Sequence, residues 1–285
     1  MGVDGSSWAL AAVGWAVAEA VLRRVQITVV HVVKPLTAST LTWPGGRIPE
    51  EVLQIQDNDA RAVIADAMNV VENSIGTGYR PEIRSELTYG GVVPTLAELS
   101  KDAEILAVGP RGRSGQHRRP LGESSSGLIR HAHCPVAIVH GPPTSRESAR
   151  LPVLLGTDGS PASDLATEVA FREASWREVD LVVLHVLGDT DMSSLYTMEW
   201  SALQSSGQKP IAERLAIWEE RYPDVTANLE VQFERPARQL IEASQRYQLV
   251  VVGSHGRGGF AGMLLGSVSA AVAQEAAVPV IVARR

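Results

Sequence analysis

The chain has 285 residues, of which 45% are hydrophobic and 20% charged, and its formal net charge is −6 at pH 7. This apolar content excludes an intrinsically disordered chain, and the length fits two domains that each bury a core. A negative net charge supplies no extended positive field. We therefore expect neither nucleic acid nor an anionic membrane as a main partner.

The first predicted element is a helix over the apolar run from Trp8 to Ala18. This run is too short to span a bilayer. Asp4 precedes it, Glu19 follows it and no basic segment lies ahead of it, so an amphipathic helix fits better than a secretion signal. Cys134 is the only cysteine, which excludes an intrachain disulfide and is typical of a buried structural thiol in a reducing compartment. These features predict a cytoplasmic protein.

An internal repeat determines the predicted domain organisation. Four short segments of the first half recur in the second, in the pairs 2–6 and 156–160, 31–32 and 185–186, 107–109 and 251–253, and 134–136 and 278–280. The spacing shortens by ten residues midway, and the turn-rich segment 42–46 is where the first half holds its extra residues. The repeat predicts a first domain at 1–141, a linker at 142–150 and a second domain at 151–285.

Strands alternate with helices through the second half. The first helix is predicted to be capped by Ser160 and to begin at Pro161, with an apolar face that runs from Ala162 to Ala170. The remaining predicted strands and helices are 153–155, 181–186, 203–221, 226–233, 236–247, 249–253, 264–276 and 278–283. This order predicts an α/β fold of two repeated doubly wound, Rossmann-like domains, each a five-stranded parallel sheet with helices on both faces.

A glycine-rich loop follows the fourth strand of the second half. Gly253, Gly256 and Gly266 let the backbone approach a ligand closely, so that successive N–H groups can surround an anion. The helix that opens at Ser267 adds free N–H groups and the positive end of its dipole. The alternative is a flexible loop with an ordinary serine cap.

With the spacing Gly253-x2-Gly256-x9-Gly266-Ser267, this loop resembles the ATP-binding signature of the universal stress proteins. The repeated Asp-Gly-Ser, His-Val and Pro-Val segments match as well, so the resemblance covers essentially the whole chain. It implies a tandem, UspA-like protein of the ATP-binding subclass, with ATP bound with or without magnesium.

The resemblance also implies the residues of the second site. Gly156 and Asp158 resemble the pair that lines adenosine, Val186 the residue whose backbone meets adenine, and Val231 a residue that flanks the base. By local sequence alone, Asp158 is a turn-forming helix cap, and His185 is a core histidine. The other residues of the predicted site are Gly253, Ser254, His255, Gly256, Arg257, Gly258, Gly259, Gly266, Ser267, Val268 and Ser269.

The first half carries a second, altered version of this site. Glu123 replaces the hydroxyl at the start of the helix, where a carboxylate repels a terminal phosphate. Arginines at 111, 113, 118 and 119 either compensate this charge or form a solvated face. We expect this site to bind a nucleotide more weakly than the second. Its predicted residues are Gly2, Asp4, Val32, Gly109, Arg111, Gly112, Arg113, Gly115, Gly122, Glu123 and Ser124.

The first strand of the first half is expected to be truncated. Residues 151–155 precede Gly156, whereas Met1 alone precedes the equivalent Gly2. Loss of interior strand hydrogen bonds is costly, so we expect the natural start of translation to lie upstream.

The leading functional hypothesis is a non-enzymatic, ATP-binding stress-response regulator in which nucleotide occupancy changes packing and contacts with a regulated protein partner. No Gly-x4-Gly-Lys-Ser/Thr loop, metal-ligand spacing or catalytic triad is evident, and we predict no catalytic residues. One alternative is a slow ATP hydrolase in which Asp158 and His255 hold a magnesium-bound water. Another is a structural dimerisation module. The last strands, 136–140 and 278–283, are expected to pair across a pseudo-twofold axis within the chain, and a homodimer is also expected.

Overall fold

The computed structural model describes residues 1–36, 48–113, 121–141, 148–187, 200–256 and 265–284. Its strands are β1 (Gly2–Val3), β2 (Ile27–Val33), β3 (Ile83–Tyr89), β4 (Leu106–Val108), β5 (Val136–Ile138), β6 (Val153–Thr157), β7 (Leu181–Leu187), β8 (Ala227–Phe233), β9 (Leu249–Gly253) and β10 (Val280–Ala283). Its helices are α1 (Ser7–Arg23), α2 (Glu50–Ser74), α3 (Val92–Leu99), α4 (Glu123–His131), α5 (Asp164–Arg177), α6 (Trp200–Arg221), α7 (Pro236–Ser244) and α8 (Ser267–Glu275).

A seven-stranded sheet with the order β4-β5-β10-β9-β6-β7-β8 forms the centre of the molecule. All its neighbouring strands are parallel except β5 and β10, which run antiparallel. The five strands of the second half therefore form the predicted parallel sheet. The antiparallel pair joins them to the end of the first half within one chain, as predicted for the last strands.

The prediction of one five-stranded sheet in the first half is wrong. Its strands fall into two groups, because β1, β2 and β3 form a separate three-stranded sheet while β4 and β5 belong to the larger one. The reason is the length of β1. In the second half, β6 pairs with β9 from Val153 to Gly156, but only Gly2 and Val3 form β1, which is too short to connect β2 to β4.

Helices cover both faces of the sheets, which confirms the predicted α/β class. One apolar core lies beneath α1, α2, α5 and α6, and a second lies beneath α3, α4, α7 and α8. The central strands are buried on both faces, and for this reason they read as continuous apolar runs. Among the described residues, no helix combines the length and apolarity needed to cross a bilayer.

The start of α5 differs from its prediction. Ser160 and Pro161 begin a 3-10 turn, Pro161–Ser163, and the α-helix starts only at Asp164. Ala162 is exposed as a result, and is not on the buried face. Of the predicted linker, only the 3-10 turn Ser148–Arg150 lies in the described chain, and the segment 42–46 lies outside it.

A buried ion quartet joins the two halves. Glu19 and Arg23 lie on α1, and their repeat equivalents, Glu173 and Arg177, lie on α5. Each glutamate pairs with the arginine of its own helix and with the arginine of the other helix. The four side chains are between 0% and 9% exposed. Arg23 also lies 4.9 Å from the centre of the Trp176 ring, which covers one side of the cluster.

A second pair of contacts ties the last strand of each half to a helix of the other. His140 follows β5, and its Nε2 lies 3.0 Å from the carbonyl oxygen of Ala273 on α8. Arg284 occupies the equivalent position after β10 and donates to the carbonyl of Ile129 on α4. Burial lowers the pKa of His140 to about 4. The two halves therefore contact each other through α4 and α8 as well as through β5 and β10.

The quartet makes a testable prediction about stability. Glu19→Gln leaves two buried guanidinium groups with one carboxylate, and removing one partner of a buried pair costs about 3–5 kcal/mol. We expect a loss of this size in the free energy of unfolding, measured by urea denaturation, and a similar loss for Glu173→Gln. The matched control is Glu82→Gln at the exposed Arg84–Glu82 pair, which should change stability little. Equal effects at the buried and exposed pairs would contradict this assignment.

A pH dependence follows from His140. Unfolding returns its pKa to about 6.5, so the unfolded chain takes up a proton before the folded one as the pH falls. Stability should therefore decrease between pH 6.5 and pH 4, by up to about 3 kcal/mol from this residue. His140→Gln keeps a donor for Ala273 and removes the titration. Thermal denaturation of both proteins across this range should give curves that diverge at high pH and converge toward pH 4. Parallel curves would exclude the assignment.

Candidate nucleotide site

The site lies at the carboxyl ends of the parallel strands, where α/β sheets bind ligands. Asp158 follows β6 in the second half, and Asp4 follows β1 in the first. The Oδ1 atom of Asp158 accepts from the N–H and hydroxyl of Ser160, at 2.9 and 2.7 Å. Asp4 Oδ1 accepts from Ser6 N–H at 3.0 Å. Both aspartates thus form the predicted turn and have their other oxygen, Oδ2, available to face the glycine loop.

The second glycine of each loop packs against this other oxygen. A Cβ added to Gly256 would lie 2.5 Å from Asp158 Oδ2, and a Cβ added to Gly112 would lie 2.5 Å from Asp4 Oδ2. In the first half, the N–H of Arg113 also donates to Asp4 Oδ2, at 3.0 Å. The structure therefore brings the strand-end aspartate and the glycine loop together in both repeats, as the resemblance implied.

The two loops are anchored by the same pair of hydrogen bonds. In the second half, Gly266 N–H donates to the carbonyl of Ser254 at 2.8 Å, and the buried Ser269 hydroxyl donates to the carbonyl of Gly253. In the first half, Gly122 N–H donates to Pro110 at 2.8 Å, and Ser125 donates to Gly109 at 2.7 Å. These bonds hold the end of the strand against the first turn of α8 or α4, so the loop and the helix N-terminus face the same space.

Gly2 and Gly156 are required by packing. A Cβ on Gly156 would lie 2.9 Å from Leu240, and one on Gly2 would lie 2.7 Å from Leu96. These leucines belong to α7 and α3, which cover the same face of the sheet in each half. The strand-end glycine therefore allows a helix to approach the sheet beside the site.

A cavity of about 500 to 1,000 Å³ is typical of sites for nucleotide-sized ligands, and the first half has one of about 750 Å³. The residues predicted for this site converge on it, except Gly115, which lies outside the described residues. The lining residues that were predicted are Gly2, Asp4, Val32, Gly109, Arg111, Gly112, Arg113, Gly122, Glu123 and Ser124.

The structure places the second-half residues at matching positions. Val186 on β7 and Val231 on β8 are buried in adjacent strands. Ser254 and His255 follow β9, with 3.0 Å between the Ser254 hydroxyl and His255 Nδ1. Ser267, Val268 and Ser269 form the first turn of α8, after its cap residue Gly266. Arg257, Gly258 and Gly259 lie outside the described residues.

Two cations of the first site were missed by the sequence analysis. Lys34 follows β2 and Arg130 lies on α4, and both line the cavity. Their positions after a strand and late in the loop-following helix were the available signal. With Arg111 and Arg113 they face the carboxylates of Asp4 and Glu123, so the lining of this cavity is positive overall.

Arg113 is held by a carboxylate that the sequence analysis also missed. Its guanidinium donates to both oxygens of Asp59 on α2, at 2.6 and 3.0 Å. These hydrogen bonds lower the pKa of Asp59. The pair is about half exposed, so it orients Arg113 at the rim of the cavity while contributing little stability.

The family comparison agrees with this geometry. The model of the universal stress protein family matches residues 1–140 and 150–284. The chain belongs to this family. Universal stress protein Rv2623 of Mycobacterium tuberculosis (strain ATCC 25618 / H37Rv) is 48% identical over 285 residues, which cover 100% of this chain and 95% of the relative. A universal stress protein of Mycolicibacterium smegmatis is 46% identical over 284 residues, covering 100% and 96%.

A solved universal stress protein shares the fold. The crystal structure of one from Archaeoglobus fulgidus DSM 4304 has a TM-score of 0.69 at 20% identity and covers 98% of this chain and 95% of its own. The recognition of a tandem universal stress protein with a Rossmann-like α/β fold is therefore confirmed.

Other residues singled out in the sequence have structural positions in this universal stress protein. The Nδ1 atom of His185 lies 2.9 Å from the Thr157 carbonyl, and the equivalent His31 Nδ1 lies 2.8 Å from that of Val3. Both rings bridge adjacent strands in the core, as predicted for His185. Cys134 is buried, as predicted, and burial raises the pKa of its thiol to about 11.

The close contact at Gly112 predicts the effect of a single methyl group. Gly112→Ala should displace Asp4 and break its bond with Arg113 N–H, at a cost of about 1–3 kcal/mol. Urea denaturation measures this loss. The control is Gly78→Ala, since an added Cβ there meets nothing within 4 Å. If Gly112→Ala is as stable as the control, Asp4 is not held against the loop.

Proposed function

We propose that this universal stress protein binds ATP in both halves, more tightly in the second, and that occupancy regulates its contacts with a protein partner. Family membership supports a role in stress response. The observation that carries the proposal of nucleotide binding is the repeated contact between a strand-end aspartate and the second loop glycine, beside a helix N-terminus. A triphosphate is the ligand class that such a loop and helix terminus accommodate.

Adenine and ribose have a matching location in this proposal. The cavity of the first half extends from the glycine loop past Asp4 to the apolar residues Val30 and Val32 of β2. A base bound against these valines leaves the phosphates beside the loop. Asp4 and Asp158 are suited to accept from ribose hydroxyls, because their Oδ2 atoms lie at the glycine loop while Oδ1 holds the turn.

The expected difference between the two sites depends on the first residue of each helix. Ser267 opens α8, and its hydroxyl can donate to a phosphate. Glu123 opens α4, where its carboxylate repels a phosphate that binds at the same N–H groups. Lys34, Arg111 and Arg130 offset part of this repulsion. The first site is therefore proposed to be weaker, and still able to bind.

A route from the sites to the partner contacts runs through the joint between the halves. Ser254 N–H, in the second loop, donates to the carbonyl of Ala283 on β10 at 2.9 Å, and β10 pairs with β5 of the other half. The helices that begin at the two sites receive His140 and Arg284 from the opposite half. A ligand that tightens a loop or shifts its helix would change the packing between the halves.

Calorimetric titration of ATP tests the two sites. The wild-type protein should bind two equivalents with different affinities. Gly256→Ala should remove the tighter event by moving Asp158, and Gly112→Ala should remove the weaker one. Glu123→Ser should strengthen the weaker event by about 2- to 5-fold, the worth of one charge at a helix terminus. The matched control is Glu72→Ser, an exposed carboxylate of α2 that does not line the cavity.

Two equal affinities in the wild type, or no change with Glu123→Ser, would refute the proposed ranking of the sites. An absence of ATP binding with no thermal shift would favour the structural dimerisation module. Mass spectrometry of nucleotide released from the purified protein identifies the ligand directly. Phosphate release that disappears in Asp158→Ala and Gly256→Ala would instead favour the slow hydrolase.

A further inference from the structure

A second cavity, of about 500 Å³, lies between β2 and β4 of the first half. We call it the strand slot. Apolar side chains form its walls, with Trp15 and Ala16 of α1 on one side and Leu96 of α3 on the other. The slot ends at Met1, whose amino group donates to the Thr28 carbonyl at 2.6 Å. It lies at the other end of β2 from the nucleotide cavity, so it is a separate feature.

The second half shows what occupies the equivalent space. There, Pro152 to Leu155 run between β7 and β9, and Leu155 is the repeat equivalent of Met1. Val153 N–H donates to the Asp180 carbonyl at 3.0 Å, and Gln248 N–H donates to the Pro152 carbonyl at 3.2 Å. The equivalent groups of the first half are the Gln26 carbonyl and the Glu104 N–H, and both residues line the slot.

The backbone of the slot walls is oriented to receive a strand. Ile27 N–H donates to Glu82 on the side of β3, and Leu106 N–H donates to Pro135 on the side of β5. Because alternate residues of a strand point their N–H groups to opposite sides, the N–H groups of Thr28 and Ala107 face the slot. Within the described part of the chain, the sheet pairing of β4 is with β5 alone. The slot therefore has two parallel edges with backbone donors directed into it.

Charges at the rim select the direction and the flank of an occupant. Glu86, Asp102 and Glu104 lie at the end of the slot away from Met1, and all three are exposed. A parallel strand in the slot has its amino end at these carboxylates. The segment that fills the equivalent space in the second half is preceded by Arg150. A basic residue ahead of an apolar strand fits this rim.

We propose that the strand slot binds an extended apolar peptide with a basic amino-terminal flank, which inserts as a parallel strand between β2 and β4 and joins the two sheets. Backbone hydrogen bonds supply affinity and the apolar walls select the side chains, as in other cases of strand addition. The partner class is thus a peptide segment with the pattern basic-apolar-apolar-apolar. This inference does not depend on nucleotide binding.

The test uses a fluorescent peptide with the sequence Arg-Leu-Pro-Val-Leu, identical to residues 150–154. Fluorescence anisotropy with the full-length protein should give saturable binding. Replacing the peptide valine by aspartate should weaken binding at least about tenfold, because a carboxylate would be buried without a partner. Replacing the arginine by glutamate should weaken it several-fold through repulsion at the rim.

A protein variant with the same five residues joined ahead of Met1 is the occupied control. Its own strand fills the slot, so the free peptide should no longer bind. Hydrogen exchange locates the contact, since the peptide should slow exchange at the amides of Thr28 and Ala107 and leave those of Ile27 and Leu106 unchanged. Absence of binding, equal affinity for the aspartate peptide, unchanged binding to the extended variant or unaltered exchange at Thr28 and Ala107 would each overturn the proposal.

Discussion

The joint between the repeats is the constraint on which the rest of this structure depends. Two glutamates and two arginines from equivalent helices alternate in one buried cluster, and every charge has two opposite partners. Desolvating four ionised side chains is costly, and their mutual attraction offsets this cost only when the geometry is maintained. The cluster therefore specifies how α1 meets α5. This requirement in turn sets the relation between the two halves.

The same joint links parts that are distant in sequence. The antiparallel pair of β5 and β10 makes one sheet out of strands from both halves. Beyond these strands, His140 reaches α8 and Arg284 reaches α4, the two helices that begin at the candidate nucleotide sites. A movement of either helix is thus felt by the opposite half. Duplication of a domain has produced reciprocal contacts, in which each repeat supports the site of the other.

The two halves have diverged at both ends of the first sheet. At its carboxyl end, Glu123 stands where the second half has Ser267, and Lys34, Arg111 and Arg130 supply positive charge to the same cavity. At its amino end, the short β1 leaves the strand slot and separates the sheet into two groups. Both changes leave the helices and the core of the first half in place. The repeat thus preserves packing while its ligand-facing surfaces differ.

The sequence by itself determined the repeat, the order of strands and helices, and the residues of the glycine loops. These features depend on local patterns: apolar runs specify buried strands, and glycines mark the positions where a backbone or a helix approaches closely. It also indicated that the first strand was short. Only the tertiary structure decided that this shortness divides the first sheet, because strand pairing depends on partners about a hundred residues away. The buried role of Glu19, the contribution of Lys34 and Arg130 to the first site, and the crossed contacts of His140 and Arg284 were likewise decided by packing. A charged residue on a helix reads as solvent-exposed until its partner from another repeat is brought beside it.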